Sequence, residues 1–312
     1  MRTIVAIDIG GTQLRAAAYK QSQIEPLTQK RIKTKANEPD AFGRLISLVE
    51  EIWPKNEKVD AIGVSSPGPV DPHTGIIMIT PNIKEWRDFP ITAKLTEHFG
   101  IPAYLDNDAN LAGLAEWKFG AGRGHHNVLY LTVSTGVGGG VILNDQLLQG
   151  YHGLAAELGH TTIQADGPLC GCGQPGHLEA FSSGTGIERF VAEQLKAGRE
   201  SILPPDKKNS AYTISEAAKQ GDKLSIEAYQ IAGTYLGIGV ANFLHAFDPS
   251  VVIFGGGVSQ SGPLLFDSFH ASLEKRVIHP RYLEGLVITK AELGDNSGLL
   301  GARALAELKL KT

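Results

Sequence analysis

Cysteine is scarce in this sequence, and basic residues are not in excess. Two cysteines, Cys170 and Cys172, occur among 312 residues, and a single residue separates them. A disulfide between them would be strained, so a disulfide scaffold is excluded and a reducing, cytoplasmic setting is expected. The 29 Lys and Arg against 33 Asp and Glu give a net charge of −4, which disfavours nucleic acid and anionic membrane surfaces as partners.

Signal peptides and transmembrane helices are also missing. The apolar N-terminal stretch ends at Asp8, and the longest uncharged stretch outside the glycine-rich segments, 228–247, contains Gln230, Asn242 and His245. We therefore expect a soluble protein in which 228–247 forms a buried helix. At about 150 residues per domain, the length predicts roughly two domains or one large one.

Glycine, by contrast, is abundant, with 37 residues. Residues 5–19 read as a strand, a glycine turn and a returning strand, and residues 128–143 repeat this pattern. Two similar hairpins far apart in the chain predict a duplicated α/β structure in which one hairpin opens each half. Apolar spacing and capping residues predict helices over 40–53, 91–99, 109–119, 215–220, 224–247 and 297–308, and short strands over 61–64, 103–105 and 251–254.

The glycine turns are candidate phosphate sites, because glycine leaves backbone N–H groups accessible to an anion. Neither turn has the Gly-Lys-Ser/Thr of a Walker A loop or the dinucleotide fingerprint, and each turn alone could be an ordinary tight turn. The two hairpins together with the glycines at 255–257 favour a nucleotide ligand.

Two aspartates stand at the ends of predicted elements. Asp8 ends a buried strand, where it could reach Mg²⁺ through water or bond to nearby turn N–H groups. Asp108 stands beside Asn107 before a predicted helix. It could accept a proton from a substrate hydroxyl in phosphoryl transfer, or simply cap the helix.

A cluster of possible metal ligands follows in the second half of the chain: His160, Cys170, Cys172 and His177. Two thiolates and two imidazoles suit tetrahedral zinc, and the alternative is two buried thiols with two surface histidines. Glu157 and Glu179 flank the cluster. They could accept hydrogen bonds from a polyol or be solvated surface carboxylates.

Taken together, these motifs resemble the ROK family of sugar kinases, repressors and open reading frames, and most closely its bacterial glucokinases. The segments that carry the resemblance are 8–12, 107–110, 135–140, 157–160 and 170–179. They follow the family's order and span nearly the whole chain. The resemblance implies a two-domain α/β fold of the actin-like, hexokinase-like (ribonuclease H-like) ATPase type, with ATP and a hexose in the interdomain cleft.

The resemblance also implies roles for individual residues. Asp108 would be the general base that takes the proton from the sugar 6-hydroxyl as this attacks the γ-phosphorus of ATP. The sugar would be bound by Gly68, Asn82, Asn107, Asp108, Glu157, His160 and Glu179. ATP would contact Asp8, Gly10, Gly11, Thr12, Thr135, Gly136, Gly138, Gly256 and Gly257. Mg²⁺ would neutralise the charge of the transferring phosphoryl group.

A structural Zn²⁺ is the third group that the resemblance implies. It would be held in the loop 160–177 by His160, Cys170, Cys172 and His177, where His177 replaces a third cysteine that many relatives have. Four protein ligands leave no open position, so the metal would fix the loop that presents Glu157, His160 and Glu179.

The expected reaction is the ATP-dependent conversion of glucose to glucose 6-phosphate by a homodimer. The expected domains are 1–108, with the helix 298–312 packing back on it, and 109–297. N-acetylmannosamine, N-acetylglucosamine, mannose, fructose and allose are alternative acceptors, and polyphosphate is an alternative donor. A sugar-sensing repressor is disfavoured because such proteins carry a DNA-binding region ahead of the segment that begins at Asp8. A non-catalytic sugar-binding protein is disfavoured because both hairpins keep their glycines.

Overall fold

The computed structural model describes residues 2–21, 23–35, 40–80, 83 and 85–311. Its chain forms two compact units. The first comprises Met1–His125, Gly140–Ala156 and Ala291–Thr312, and the second comprises His126–Gly139 and Glu157–Lys290. The domain boundary predicted after Asp108 stays a prediction. Among the described residues, no helix combines the length and the apolar composition needed to cross a bilayer.

The strands in chain order are β1 (Thr3–Ile9), β2 (Gln13–Lys20), β3 (Thr28–Lys33), β4 (Val59–Ser66), β5 (Val70–Asp71), β6 (Ile76–Ile79), β7 (Arg87–Phe89), β8 (Ala103–Asn107), β9 (Val128–Val133), β10 (Val137–Leu143), β11 (Gln146–Leu147), β12 (Val251–Gly255) and β13 (Val287–Lys290). The α-helices are α1 (Ala41–Glu51), α2 (Ile91–Phe99), α3 (Asp108–Phe119), α4 (Leu178–Ser182), α5 (Gly184–Lys196), α6 (Ala211–Lys219), α7 (Lys223–Phe247), α8 (Pro263–Glu274) and α9 (Ser297–Lys309).

The first unit is built on a sheet with the strand order β3-β2-β1-β4-β8. Strands β1 and β2 form the predicted antiparallel hairpin, in which Ile9 pairs with Leu14 next to the turn. Strand β4 runs parallel to β1, and β8 runs parallel to β4. Every residue of β1 is buried, because helices cover the sheet. A smaller sheet, β5-β6-β7, also belongs to this unit.

Local sequence explains where the helices of the first unit begin and end. Helix α1 begins after Asp40, whose side chain accepts a hydrogen bond from the Gly43 amide. Helix α2 ends at Gly100, which has a left-handed backbone conformation that glycine adopts at little cost. Helices α3 and α9 share an apolar core that contains Leu111, Leu114, Leu300 and Leu305.

The second sheet has the strand order β11-β10-β9-β12-β13. Strand β12 runs parallel to β9, and β13 runs parallel to β12. Strand β9 and most of the helix α7 are buried, which confirms the prediction of a buried helix over 228–247. In both sheets the first strand of a glycine hairpin therefore lies between its hairpin partner and a parallel strand, as the duplication predicted.

Candidate functional site

The turn of the first hairpin is fixed by hydrogen bonds from within the unit. The Gly10 amide donates to the Gln13 carbonyl at 2.9 Å, and the Thr34 amide donates to the Thr12 carbonyl at 2.9 Å. The Thr34 hydroxyl donates to the Gly10 carbonyl at 2.7 Å. Gly11 and Thr12 lie exposed at the tip. The turn therefore presents a defined backbone to solvent, as a phosphate site requires.

Asp8, at the end of β1, is 6% exposed and is paired with a partner that sequence analysis missed. Arg15 Nε and Nη2 donate to Asp8 Oδ2 at 2.9 and 2.6 Å, and Arg15 Nη1 donates to the Asp295 carbonyl. This ion pair offsets the cost of burying the carboxylate. A signal was present in the sequence, since Asp8 and Arg15 are directly opposite in the hairpin register.

The start of α3 carries the predicted base. Asn107 is the N-cap residue, and its Oδ1 accepts hydrogen bonds from the amides of Ala109 and Asn110. Asp108 is exposed, and its Oδ1 accepts from the Ala109 amide at 2.8 Å. Gly68 lies against the Asn107 side chain, because a Cβ at Gly68 would come within 2.8 Å of Asn107 Nδ2. The structure thus brings together three of the residues predicted to bind the sugar.

Asp106, directly before Asn107, is a fully buried carboxylate. Its Oδ1 accepts from the Asn107 amide at 2.8 Å and from Asn110 Nδ2 at 3.0 Å, and its Oδ2 accepts from Gln149 Nε2 at 2.5 Å. Burial raises the pKa of this carboxyl above its ordinary value. Gln149 lies 43 residues away in the sequence, and no pattern there signals the contact.

The four predicted metal ligands converge in the second unit. One side-chain atom from each of His160, Cys170, Cys172 and His177 lies within 4.8 Å of the others. Cys170 Sγ is 3.6 Å from His160 Nδ1, and Cys172 Sγ is 3.3 Å from His177 Nδ1. Tetrahedral zinc bonds of about 2.1 and 2.3 Å imply nitrogen-to-sulfur separations of roughly 3.6 Å. The donor set and its spacing therefore fit zinc.

The two cysteines of this cluster differ in environment. Cys170 is buried and Cys172 is exposed, and both are free thiols. Burial raises the pKa of the Cys170 thiol to about 12. A thiolate is the form that binds metal, so zinc binding at Cys170 releases the thiol proton.

Glu179 connects the metal cluster with the second glycine hairpin. It lies in the first turn of α4, which begins directly after His177. Its Oε2 accepts from the Val137 amide at 2.9 Å, and Cys170 Sγ donates to its Oε1 at 3.2 Å. A Cβ at Gly136 would lie 2.4 Å from Glu179 Oε2, so glycine is required there for this contact.

The segment with Glu157 and His160 packs on the same hairpin. It forms a short 3₁₀ turn, Leu158–His160, that begins after Glu157, and Glu157 is exposed. A Cβ at Gly159 would come within 1.9 Å of the Val137 carbonyl oxygen. The structure therefore brings Glu157, His160 and Glu179 next to the residues at 136–137.

The glycines after β12 lie near the second hairpin as well. Gly256 has a φ of 86°, and a Cβ there would lie 2.4 Å from the Val133 carbonyl, which precedes Ser134 and Thr135. The Ser259 hydroxyl donates to the Gly256 carbonyl at 2.7 Å. Of the predicted site residues, Asn82 lies outside the described part of the chain.

Comparison with known proteins agrees with these observations. Residues 4–309 match the ROK family. The chain is 32% identical to a glucokinase of Thermotoga maritima over 98% of both proteins. It is also 33% identical to the xylose repressor of Bacillus subtilis, over 78% of this chain and 60% of the repressor.

Solved structures show the same likeness. The ROK hexokinase from Thermus thermophilus is 35% identical and superimposes with a TM-score of 0.83, covering 99% of each chain. A ROK family glucokinase from Streptomyces griseus, crystallised with glucose and AMPPNP, is 32% identical with a TM-score of 0.77, covering 98% of this chain and 99% of that one. The predicted α/β fold of actin-like, hexokinase-like sugar kinases is confirmed, and the chain belongs to the ROK family.

Proposed function

We propose that the chain is an ATP-dependent hexokinase that converts glucose to glucose 6-phosphate, with Asp108 as the general base. The observation that carries the proposal is the position of Asp108 at the start of α3. Asn107 is the N-cap residue, and the exposed carboxylate of Asp108 directly follows it, where it can accept a proton. Similarity to glucokinases along 98% of both chains supports the same reaction class.

In this reaction the sugar 6-hydroxyl oxygen attacks the γ-phosphorus of ATP, its proton passes to Asp108, and ADP leaves. The turns at 10–12 and 135–138, with Gly256 and Gly257, bind the nucleotide through backbone N–H groups. Mg²⁺ would neutralise charge on the phosphates, and Asp8, which is paired with Arg15, would contact it through water.

In this proposal seven residues bind the sugar hydroxyls: Gly68, Asn82, Asn107, Asp108, Glu157, His160 and Glu179. The contact of Gly68 with Asn107 supports the assignment of these two residues. His160 suits two roles, because its Nδ1 faces Cys170 and an imidazole has a second ring nitrogen for the sugar.

Zinc has a structural role in this proposal. His160, Cys170, Cys172 and His177 would hold it, and the bound ion would fix the loop 160–177. Elemental analysis of purified protein should find about one zinc per chain in the wild type, and Cys172→Ser should lose it. Wild-type protein that stays metal-free after incubation with zinc would contradict this role.

A kinase assay tests the reaction and its acceptor. ADP release with Mg-ATP is measured for glucose, mannose, fructose, N-acetylmannosamine and N-acetylglucosamine. We expect turnover with glucose. Asp108→Asn should lower kcat by roughly 10²–10⁴-fold with little change in sugar affinity, because the base is lost while an asparagine side chain can still form hydrogen bonds with the sugar.

The matched control is Asp206→Asn, which makes the same change at an exposed position of the loop before α6. It should keep wild-type kinetics. Turnover only with an N-acetylated or keto sugar would show that the acceptor is not glucose, and the proposed mechanism would stay the same. Folded, zinc-loaded protein that phosphorylates none of these sugars would instead favour a sugar-sensing role, as in the xylose repressors.

A further inference from the structure

Asp106 is a buried carboxylate to which the proposed reaction gives no role. It ends β8 directly before Asn107, the N-cap of α3. None of its surface is exposed, and a buried carboxylate costs free energy unless hydrogen bonds compensate it. Burial raises its pKa, and the hydrogen bonds that it accepts and the charge of Lys309 oppose this rise. Because burying a carboxylate costs free energy, we looked for a role of the hydrogen bonds that Asp106 accepts.

The two oxygens of Asp106 accept hydrogen bonds from different segments of the chain. Oδ1 accepts from the Asn107 amide and from the Asn110 side chain, both at the start of α3. Oδ2 accepts from Gln149 Nε2, in the segment that follows β11. That segment has its own support, because the Ala155 amide donates to the Gln149 carbonyl at 3.0 Å. Gln149 therefore anchors the start of α3 to a separate stretch of backbone in the same unit.

We propose that Asp106 and Gln149 form a positioning pair that holds Asn107 and Asp108 in the orientation needed for proton transfer from the sugar. This proposal rests on the proposed function of Asp108. Asp106 is joined to Asn107 by both a peptide bond and a side-chain hydrogen bond, so a shift of its carboxylate moves both residues that follow it. A displacement of about 1 Å at a reacting group can cost roughly 100-fold in rate.

Reversing the polarity of the pair tests this proposal. Gln149→Glu places a second carboxylate opposite Asp106 and should lower kcat roughly 100-fold, with the sugar KM changed by less than about threefold. The double variant D106N/Q149E exchanges donor and acceptor, since the amide introduced at position 106 can donate to the carboxylate introduced at position 149 and accept from the α3 amides. It should recover most of the lost kcat.

The matched control is Gln146→Glu, the same change at an exposed position on β11, which should leave kcat unchanged. Asp106→Asn alone should lower kcat less than Gln149→Glu does. The Gln149 side-chain amide can rotate, and its oxygen can then accept a hydrogen bond from the amide introduced at position 106. Thermal unfolding of each variant confirms that it is folded. Unchanged kcat in Q149E, or a loss that D106N does not repair, would overturn the proposal.

Hydrogen–deuterium exchange supplies a readout that does not depend on kinase activity. Amides at the start of α3 should exchange faster in Q149E than in the wild type and should regain protection in the double variant. If the wild type phosphorylates no sugar, the proposed function fails, and the exchange data still decide whether the pair holds this helix start. Unaltered exchange in Q149E would then refute the pair.

Discussion

At the scale of single residues, Ala156 is the position where the backbone departs most from the preference of its side chain. It has a φ of 68° and precedes Glu157, one of the proposed sugar-binding residues. A left-handed conformation costs a residue with a Cβ roughly 1–2 kcal/mol. Such strain is found at functional sites, where the surrounding structure imposes a geometry.

Replacing Ala156 with glycine should remove this strain. Ala156→Gly is expected to raise the free energy of unfolding by about 0.5–1 kcal/mol, because relief of strain exceeds the added entropy of the unfolded chain. Ala155→Gly is the matched control, since Ala155 is not among the residues with positive φ, and it should lower stability by about 0.4–1 kcal/mol. Urea unfolding measures both, and destabilisation by A156G would show that the backbone is unstrained.

Residues of the site differ in how far sequence could predict them. Arg15 could have been found, because it stands opposite Asp8 once the hairpin is recognised. Gln149 could not, because its contact with Asp106 depends on where a distant loop lies. The metal cluster was predictable, since each ligand is a chemically distinctive residue and glycines between them let the chain turn.

At the scale of elements, the second hairpin, α4 and the metal loop form one packed assembly through Glu179. Its carboxylate accepts from the Val137 amide, and Gly136 leaves the space that this carboxylate occupies. Gly136→Ala should push Glu179 away and lower the free energy of unfolding by about 1.5–3 kcal/mol, the range for a hydrogen bond to a charged group. It should also weaken ADP binding, measured by calorimetry, because the hairpin loses its support.

Gly171→Ala provides the comparison for this prediction. Its added Cβ would meet Glu179 Oε1 at an ordinary 3.9 Å, so stability and ADP affinity should stay near wild type. Equal effects of G136A and G171A would show that the contact with Glu179 does not hold the hairpin.

Element boundaries show what local sequence determines. The predicted helix 91–99 is confirmed residue by residue, because Pro90 precedes it and Gly100 ends it. The helix predicted over 215–220 starts too late, since α6 begins at Ala211. Ser210 caps that helix through the Thr213 amide, and the nearby prolines and lysines obscured this local signal.

At the scale of the whole molecule, the duplication was the strongest signal in the sequence. Two hairpins with matching glycine turns predicted two similar sheets, and the strand orders confirm them. Local patterns carry no information on which segments contact one another across long sequence separations. The sequence patterns therefore did not show that residues 140–156 belong to the first unit. The homodimer and the domain boundary after Asp108 stay predictions.

Global stability should fall at alkaline pH because buried tyrosines must stay neutral in the folded protein. Burial raises the pKa of Tyr19 from 10.0 to about 12, and its ring lies beneath the Arg303 guanidinium at 5.2 Å. The folded pKa lies above the unfolded one, so the stability due to the neutral phenol is full below pH 10 and is lost as pH rises through 12. A shift of this size corresponds to roughly 2–3 kcal/mol.

Tyr19→Phe cannot ionise and should therefore lose less stability than the wild type between pH 10 and 12, whatever its stability at neutral pH. Denaturant unfolding at a series of pH values measures the slope of the free energy of unfolding against pH. Tyr212→Phe, at a side chain that is 74% exposed, is the control and should keep the wild-type slope. If Y19F and wild type lost stability in parallel, a group other than Tyr19 would have to dominate the alkaline transition. Burial also raises the pKa of Tyr229, so Tyr229 would be the next residue to replace.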